Sequence, residues 1–134
     1  MNTVHVAAGV VHDGQGRVLI CRRKGALDGL WEFPGGKQEN GETIEECLKR
    51  ELMEELALSV TVYGAYCSIL QETDERRLCL HFLKASPVDG CELSLHVHGK
   101  AEWVLPQDFE NYTFCPADSV FIGKGYLQGG SSHE

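Results

Sequence analysis

No apolar run in the chain approaches the roughly 20 residues of a membrane-spanning helix, and the N-terminus lacks the charged-then-apolar pattern of a secretory leader. The cytoplasm is the expected location, and no membrane is an expected partner. Basic charge is scarce: 12 Lys and Arg stand against 20 Asp and Glu, a formal net charge of -8. A general nucleic-acid binder needs a positive surface to collect phosphates and release counterions, so a nucleic acid polymer is not an expected partner either. A small polyphosphate is different, because divalent cations neutralise acidic side chains and phosphates together. The cysteines, Cys21, Cys47, Cys67, Cys79, Cys91 and Cys115, include no Cys-x-x-Cys pair, and His5, His12, His81, His96, His98 and His133 show no metal-protease spacing. Buried reduced thiols are the expectation, with His96-Val97-His98 read as one face of a strand. There is no internal repeat and no low-complexity block. At 134 residues the chain has room for one compact domain, expected over residues 1–128, with 129–134 as a frayed tail.

What the chain does have is concentrated between Gly36 and Leu58, GKQENGETIEECLKRELMEELAL. Thr43 followed three residues later by Glu46 is a capping box, in which each side chain satisfies an orphaned backbone N–H, and it predicts a helix starting at Ile44. Leu48, Leu52 and Leu56 recur every fourth residue as a stripe to bury, with no proline or glycine to interrupt it. At about 100° per residue, Glu51, Glu54 and Glu55 fall within an arc of about 100° beside that stripe. Like charges so spaced cost a helix roughly 0.2–0.5 kcal/mol per pair. The edge is either a solvated acidic face or a set of hard oxygen ligands for Mg²⁺ or Mn²⁺.

The spacing runs Gly36, five residues, Glu42, seven residues, Arg50-Glu51-Leu52, one residue, Glu54-Glu55, one residue, Ala57-Leu58. This resembles the Nudix box. One position departs: the family has glycine where this chain has Ala57, which implies a strain of roughly 1 kcal/mol at a left-handed helix end, or a different exit. The preceding Trp31-Glu32-Phe33-Pro34-Gly35-Gly36-Lys37 is similar to the segment that leads into the box, and its Pro and paired Gly are expected to prevent regular structure. Trp103-Val104-x-Pro106 followed by Asp108-Phe109 resembles the tail of Nudix domains.

Along the rest of the chain, alternating Val4, Val6, Ala8 and Val10, a turn at Asp13 to Gly16, and Arg17 to Cys21 predict a hairpin. Val60 to Tyr63 and Ala65 to Leu70 read as strand, Gln71 to Glu75 as a charged turn, and Leu78-x-Leu80-x-Phe82 as an antiparallel return. Leu93 to Val97 and Ala101 to Leu105 read as short strands, and Pro116 opens a closing helix. The sum is an α+β fold, a mixed sheet flanked by helices, which the resemblance sharpens to the Nudix α/β/α sandwich.

The resemblance implies Mg²⁺-dependent hydrolysis of a nucleoside diphosphate linked to another moiety. The short chain, the Trp-Glu-Phe-Pro-Gly-Gly-Lys segment and Pro116-Ala117-Asp118 look most like the MutT branch, which converts nucleoside triphosphates to monophosphate and pyrophosphate. The expected substrate is an oxidised dGTP such as 8-oxo-dGTP, with CTP, dCTP or a modified cytidine triphosphate as the alternative. A non-catalytic nucleotide-binding module is the alternative of another class, and a monomer or weak dimer is expected. By the same resemblance Glu51, Glu54, Glu55 and the Gly35 carbonyl are metal ligands. Glu51 or Glu54 orients or deprotonates water, and Arg50 fixes neighbouring carboxylates. Arg23 and Lys37 face phosphate, and Phe33, Arg76, Leu78, Leu80 and Asp118 surround the base. Glu42 is expected to hold the loop or the helix start. Related chains carry a further acidic residue where this one has Val97-His98; either Glu102, His96 or His98 takes its place, or the site works with one metal fewer.

Overall fold

The computed structural model of the chain describes residues 2–23, 29–88 and 101–127. The expected hairpin does not form. Strands β1 (Thr3–Val11) and β2 (Val18–Arg22) share a single antiparallel bridge, His12 to Val18, and then part onto two sheets. The turn between them is held by Asp13, whose carboxylate accepts from the Gln15 and Arg17 backbone N–H at 2.8 and 3.0 Å and from Arg17 Nε at 2.6 Å. The strands part because both faces of each must be covered. Val10, Val18 and Ile20 enter one apolar cluster, while Val11, Leu19 and Cys21 enter another.

β1 lies inside a mixed sheet of order β4-β1-β6-β5, formed with β4 (Gly35–Lys37), β5 (Val60–Glu72) and β6 (Arg77–Pro87). It runs parallel to β6, from Thr3 opposite Arg77 to Val11 opposite Ala85. β5 and β6 form the expected antiparallel pair, but β5 extends through Gln71 and Glu72, so the turn is tighter than expected and is closed by Thr73 N–H to the Arg76 carbonyl at 2.9 Å. In the second sheet β2 pairs antiparallel with β3 (Trp31–Glu32) and β7 (Ala101–Val104). Thus the Trp31 to Lys37 segment, expected to be irregular, contributes two short strands either side of Phe33-Pro34. Gly35 makes this possible, since a Cβ there would collide with the Ala7 carbonyl of β1.

Helix α1 (Ile44–Leu56) starts at the capping box: Thr43 Oγ1 accepts from the Glu46 N–H at 3.0 Å, and Glu46 returns the bond to the Thr43 N–H at 2.9 Å. Cys47, Leu48, Leu52 and Leu56 are buried against Ala7, Val11, Leu83 and Ala85 of the sheet, each leucine contributing about 1.5–3 kcal/mol through the water it sheds. The helix ends at Ala57 in the left-handed conformation (φ 52°), so the alanine keeps the exit that glycine would take. On the opposite face of the same sheet Phe82 stacks on Phe121 of helix α2 (Pro116–Gly123), with ring centroids 4.4 Å apart. A 3-10 helix, Pro106–Asn111, precedes it. The result is an α+β sandwich with a helix on each face of the mixed sheet. No described helix is long and apolar enough to cross a membrane. The strand expected at 93–97, the residues His96, Val97 and His98, and the 129–134 tail lie outside the described residues.

Candidate active site

Arg50 gathers the acidic edge of α1. Its Nε and Nη2 hold both oxygens of Glu42 at 3.0 and 2.8 Å, Nη2 also reaches the Lys37 carbonyl at 3.1 Å, and Nη1 lies 3.1 Å from Glu51 and 3.2 Å from Glu54. A planar guanidinium with five donors can do this where an ammonium cannot. The Arg50 hydrogen bonds, with the Glu39 backbone N–H, hold the Glu42 carboxyl down at about 2, and the same bonds push Arg50 further up. The Glu51 carboxyl moves the other way. Burial raises it and the nearby charge of Glu55 adds to that, while Arg50 opposes both.

Below Glu51 the chain has no side chain. A Cβ on Gly36 would collide with the Glu51 carboxylate, so the glycine is what lets the acid lie against β4. The Gly36 carbonyl accepts from the Cys47 thiol at 3.4 Å, which ties the same strand to the buried side of α1. Among the described residues the oxygens of Glu51, Glu54 and Glu55 are not one of the groups of three donors that converge within 4.8 Å; those groups are His5, Cys79, His81 and Glu32, Cys115, Asp118. The donor set fits a hard divalent cation all the same: three carboxylates share one helix edge over a floor cleared of a Cβ, and their mutual repulsion is what such a cation relieves.

A cleft of about 660 Å³ opens beside this edge. It brings together Arg23, Phe33, Gly35, Lys37, Glu55, Arg76, Leu78, Leu80 and Asp118, all expected at the site from sequence, although they come from two strands, two helices and three connecting loops. Gly36 lines it as well and lies directly against the Glu51 carboxylate, whereas Glu51, Arg50 and Glu54 are not themselves among the lining residues. Glu32, Gln71 and Cys115 also face the cleft and were not assigned to it from sequence; Glu32 stood inside the Trp31 to Lys37 segment and Cys115 just before Pro116, whereas Gln71 read only as the start of a turn. Glu102 takes no part in the lining and accepts instead from the Tyr112 hydroxyl at 2.6 Å.

At the inner end Asp118 is 4 % exposed and accepts from the Phe33 backbone N–H at 3.1 Å. Burial pushes its carboxyl up to about 7, with the Glu32 charge adding to the shift and the Phe33 N–H opposing it. The Phe33 ring itself is core, 5.6–6.1 Å from the rings of Phe82, Phe109, Phe114 and Phe121. Its contribution to the inner wall is therefore made largely through its backbone. Near the mouth, Arg23 Nη1 meets Glu32 at 3.3 Å, and Lys37 and Arg76 are exposed.

A NUDIX domain model matches residues 2–124. Over 120 residues the chain is 34% identical to the CTP pyrophosphohydrolase of Escherichia coli (strain K12), covering 88% of this chain and 87% of that protein. Over 130 residues it is 31% identical to the 8-oxo-dGTP diphosphatase of the same organism, covering 92% and 97%. The solution structure of the E. coli ORF135 protein superimposes with a TM-score of 0.81 at 29% identity, covering 100% of this chain and 96% of that one. With the acidic helix edge and the adjoining cleft, these likenesses establish that the chain belongs to the Nudix family, in its MutT-like branch, and is a hydrolase of pyrophosphate bonds.

Proposed function

We propose that the chain hydrolyses a nucleoside triphosphate to its monophosphate and pyrophosphate with Mg²⁺, or Mn²⁺ in its place, and that oxidised dGTP of the 8-oxo type is the substrate. The observation that carries this reading is one cleft that runs from Glu55 of the acidic edge and Gly36, against which the Glu51 carboxylate lies, to the buried carboxyl of Asp118, with Arg23, Lys37 and Arg76 also lining it. The Gly35 carbonyl, Glu51, Glu54 and Glu55 hold the cation, which when bound lowers the pKa of water and absorbs charge that develops on phosphate oxygens. Glu51 or Glu54 orients the attacking water and accepts its proton. As the water oxygen bonds to phosphorus the anhydride P–O bond opens and its electrons leave on the departing phosphate. Arg50 keeps Glu51 and Glu54 in place through the bonds described, and Arg23 and Lys37 bind phosphate oxygens.

Asp118 reads the base, with Leu78, Leu80 and Arg76 as the opposite wall. With its carboxyl near 7, Asp118 is part protonated at neutral pH, and the protonated form donates to an oxygen or ring nitrogen of an oxidised guanine. The ionised form offers acceptors alone and favours an amino edge such as cytosine N4, which supports CTP or dCTP as the second reading. Relatives named for each activity accompany both. Steady-state kinetics over 8-oxo-dGTP, dGTP, CTP, dCTP and 5-substituted dCTP test the choice. The first reading expects the highest kcat/KM for 8-oxo-dGTP, and a preference for cytidine nucleotides replaces it with the second. An Asp118→Asn exchange that leaves the order of preference untouched removes Asp118 from the role.

A further inference from the structure

On the α1 face of the mixed sheet, beyond the part the helix covers, three side chains with soft or borderline donors meet. His5 of β1 stands opposite Cys79 of β6 in the parallel register, and His81 follows two residues along β6 on the same face. His5 Nδ1 and His81 Nε2 are 2.9 Å apart, the rings stack at 5.2 Å, and one donor atom from each of the three residues lies within 4.8 Å of the others. Cys79 is a free thiol, half-buried, and His5 is exposed, so the group is open to solvent on one side. We propose that His5, Cys79 and His81 form a binding site for a borderline divalent transition metal of the zinc class, separate from the hard-cation site on α1.

The donor chemistry separates the two sites. Imidazole and thiolate suit zinc, whereas magnesium takes oxygen. Tetrahedral zinc with Zn–N bonds of about 2.0–2.1 Å sets two nitrogens roughly 3.3 Å apart, so the imidazoles need open by only a few tenths of an ångström. Ser68, opposite His81 in the β5–β6 register, places its Oγ 2.8 Å from His81 Nδ1. In the tautomer in which Nδ1–H donates to Ser68 Oγ, Nε2 is left free to ligate the metal, the arrangement that histidine ligands generally need. On binding, the Cys79 thiol releases its proton to solvent and the thiolate sulfur bonds the metal. The three ligands leave a fourth position for water. Because Leu78 and Leu80 alternate with Cys79 and His81, the metal lies on the opposite face of β6 from the nucleotide cleft and clamps the start of β1 to β6.

Cobalt(II), which accepts zinc's ligands and reports them by absorption, tests the site when titrated into the whole metal-free chain. One equivalent should bind with a sulfur-to-cobalt charge-transfer band, be displaced by zinc, and lose that band in Cys79→Ser. His5→Gln and His81→Gln should weaken binding by more than tenfold, and Ser68→Ala by about tenfold, as loss of a hydrogen bond to a ligating histidine does. In the unaltered chain, zinc should shift the imidazole NMR signals of His5 and His81 and leave that of His12 in place. A band that survives Cys79→Ser overturns the proposal. So does zinc or cobalt that binds without a sulfur band and is lost in Glu54→Gln, or zinc that moves neither His5 nor His81.

Discussion

Gly36 lies directly under the carboxylate of Glu51, so close that a Cβ at Gly36 would collide with the carboxyl group. The backbone there is ordinary extended strand, so the constraint is space and not conformation. Gly36→Ala should therefore leave the fold intact by circular dichroism while it displaces Glu51. Misplacing a reacting group by about 1 Å costs on the order of 10²-fold in rate, and kcat should fall by about that much. An alanine variant with unchanged kcat would show that Glu51 works from another position.

Glu42 ties the loop before α1 to the helix through Arg50. Its carboxyl sits at about 2 against an ordinary value of 4.5, held there by Arg50. The native state thus binds fewer protons than the unfolded chain across that interval, and the stabilisation is present above about 4.5 and lost as pH falls toward about 2. Urea midpoints measured from pH 6 to pH 2 should show a shallower acid decline in Glu42→Gln than in the parent chain. Parallel declines would mean that the Arg50 contact does not persist in solution.

Asp118 gives the opposite slope. Burial raises its carboxyl from 3.8 to about 7, so the folded chain holds a proton that the unfolded chain has released. Its contribution is fully present below 3.8 and is lost as pH rises through about 7. Asp118→Asn, which retains an acceptor for the Phe33 N–H, should remove that part of the pH dependence of thermal stability. Equal slopes in the two proteins would place the carboxyl in a more hydrated setting.

Ala57 holds a left-handed backbone at the C-terminus of α1, donating its N–H to the Met53 carbonyl at 3.0 Å. An L-residue with a Cβ pays about 1–2 kcal/mol there, part of which glycine returns as entropy of the unfolded chain. Ala57→Gly should raise stability by up to about 1 kcal/mol, read as a Tm increase of a few degrees. No increase would mean that the exit relaxes around the alanine.

What could be read from the sequence was local. The cap at Thr43, the leucine stripe and the three glutamates depend on residues three or four apart, so α1 stands where its periodicity puts it. The β5–β6 pair, with Leu70 opposite Cys79, is also near in sequence, joined by a short turn. Pairings across the chain were not legible. The alternation in Val4 to Val10 could not show that β1 would leave β2 for β6, because that follows from burying both faces of Val10-Val11 and Val18-Leu19. Phe33 N–H meets Asp118 across a separation of 85 residues. His5 reaches Cys79 and His81 only through the β1–β6 register, and Cys67 on β5 and Cys79 on β6, both half-buried, depart from the expectation of buried thiols.

The acidic edge of α1 is the centre of the account, and Glu54 is its most exposed member, 58% accessible and bound to Arg50 at 3.2 Å. Its substitution by glutamine removes one charge with little change of shape, so folding should be preserved. Phosphorus NMR of a nucleoside triphosphate incubated with Mg²⁺ and either protein measures product and rate together. The prediction is pyrophosphate and nucleoside monophosphate from the parent chain, with turnover lower by orders of magnitude in Glu54→Gln. Orthophosphate and nucleoside diphosphate from the parent chain, or near-normal turnover in the variant, would contradict it.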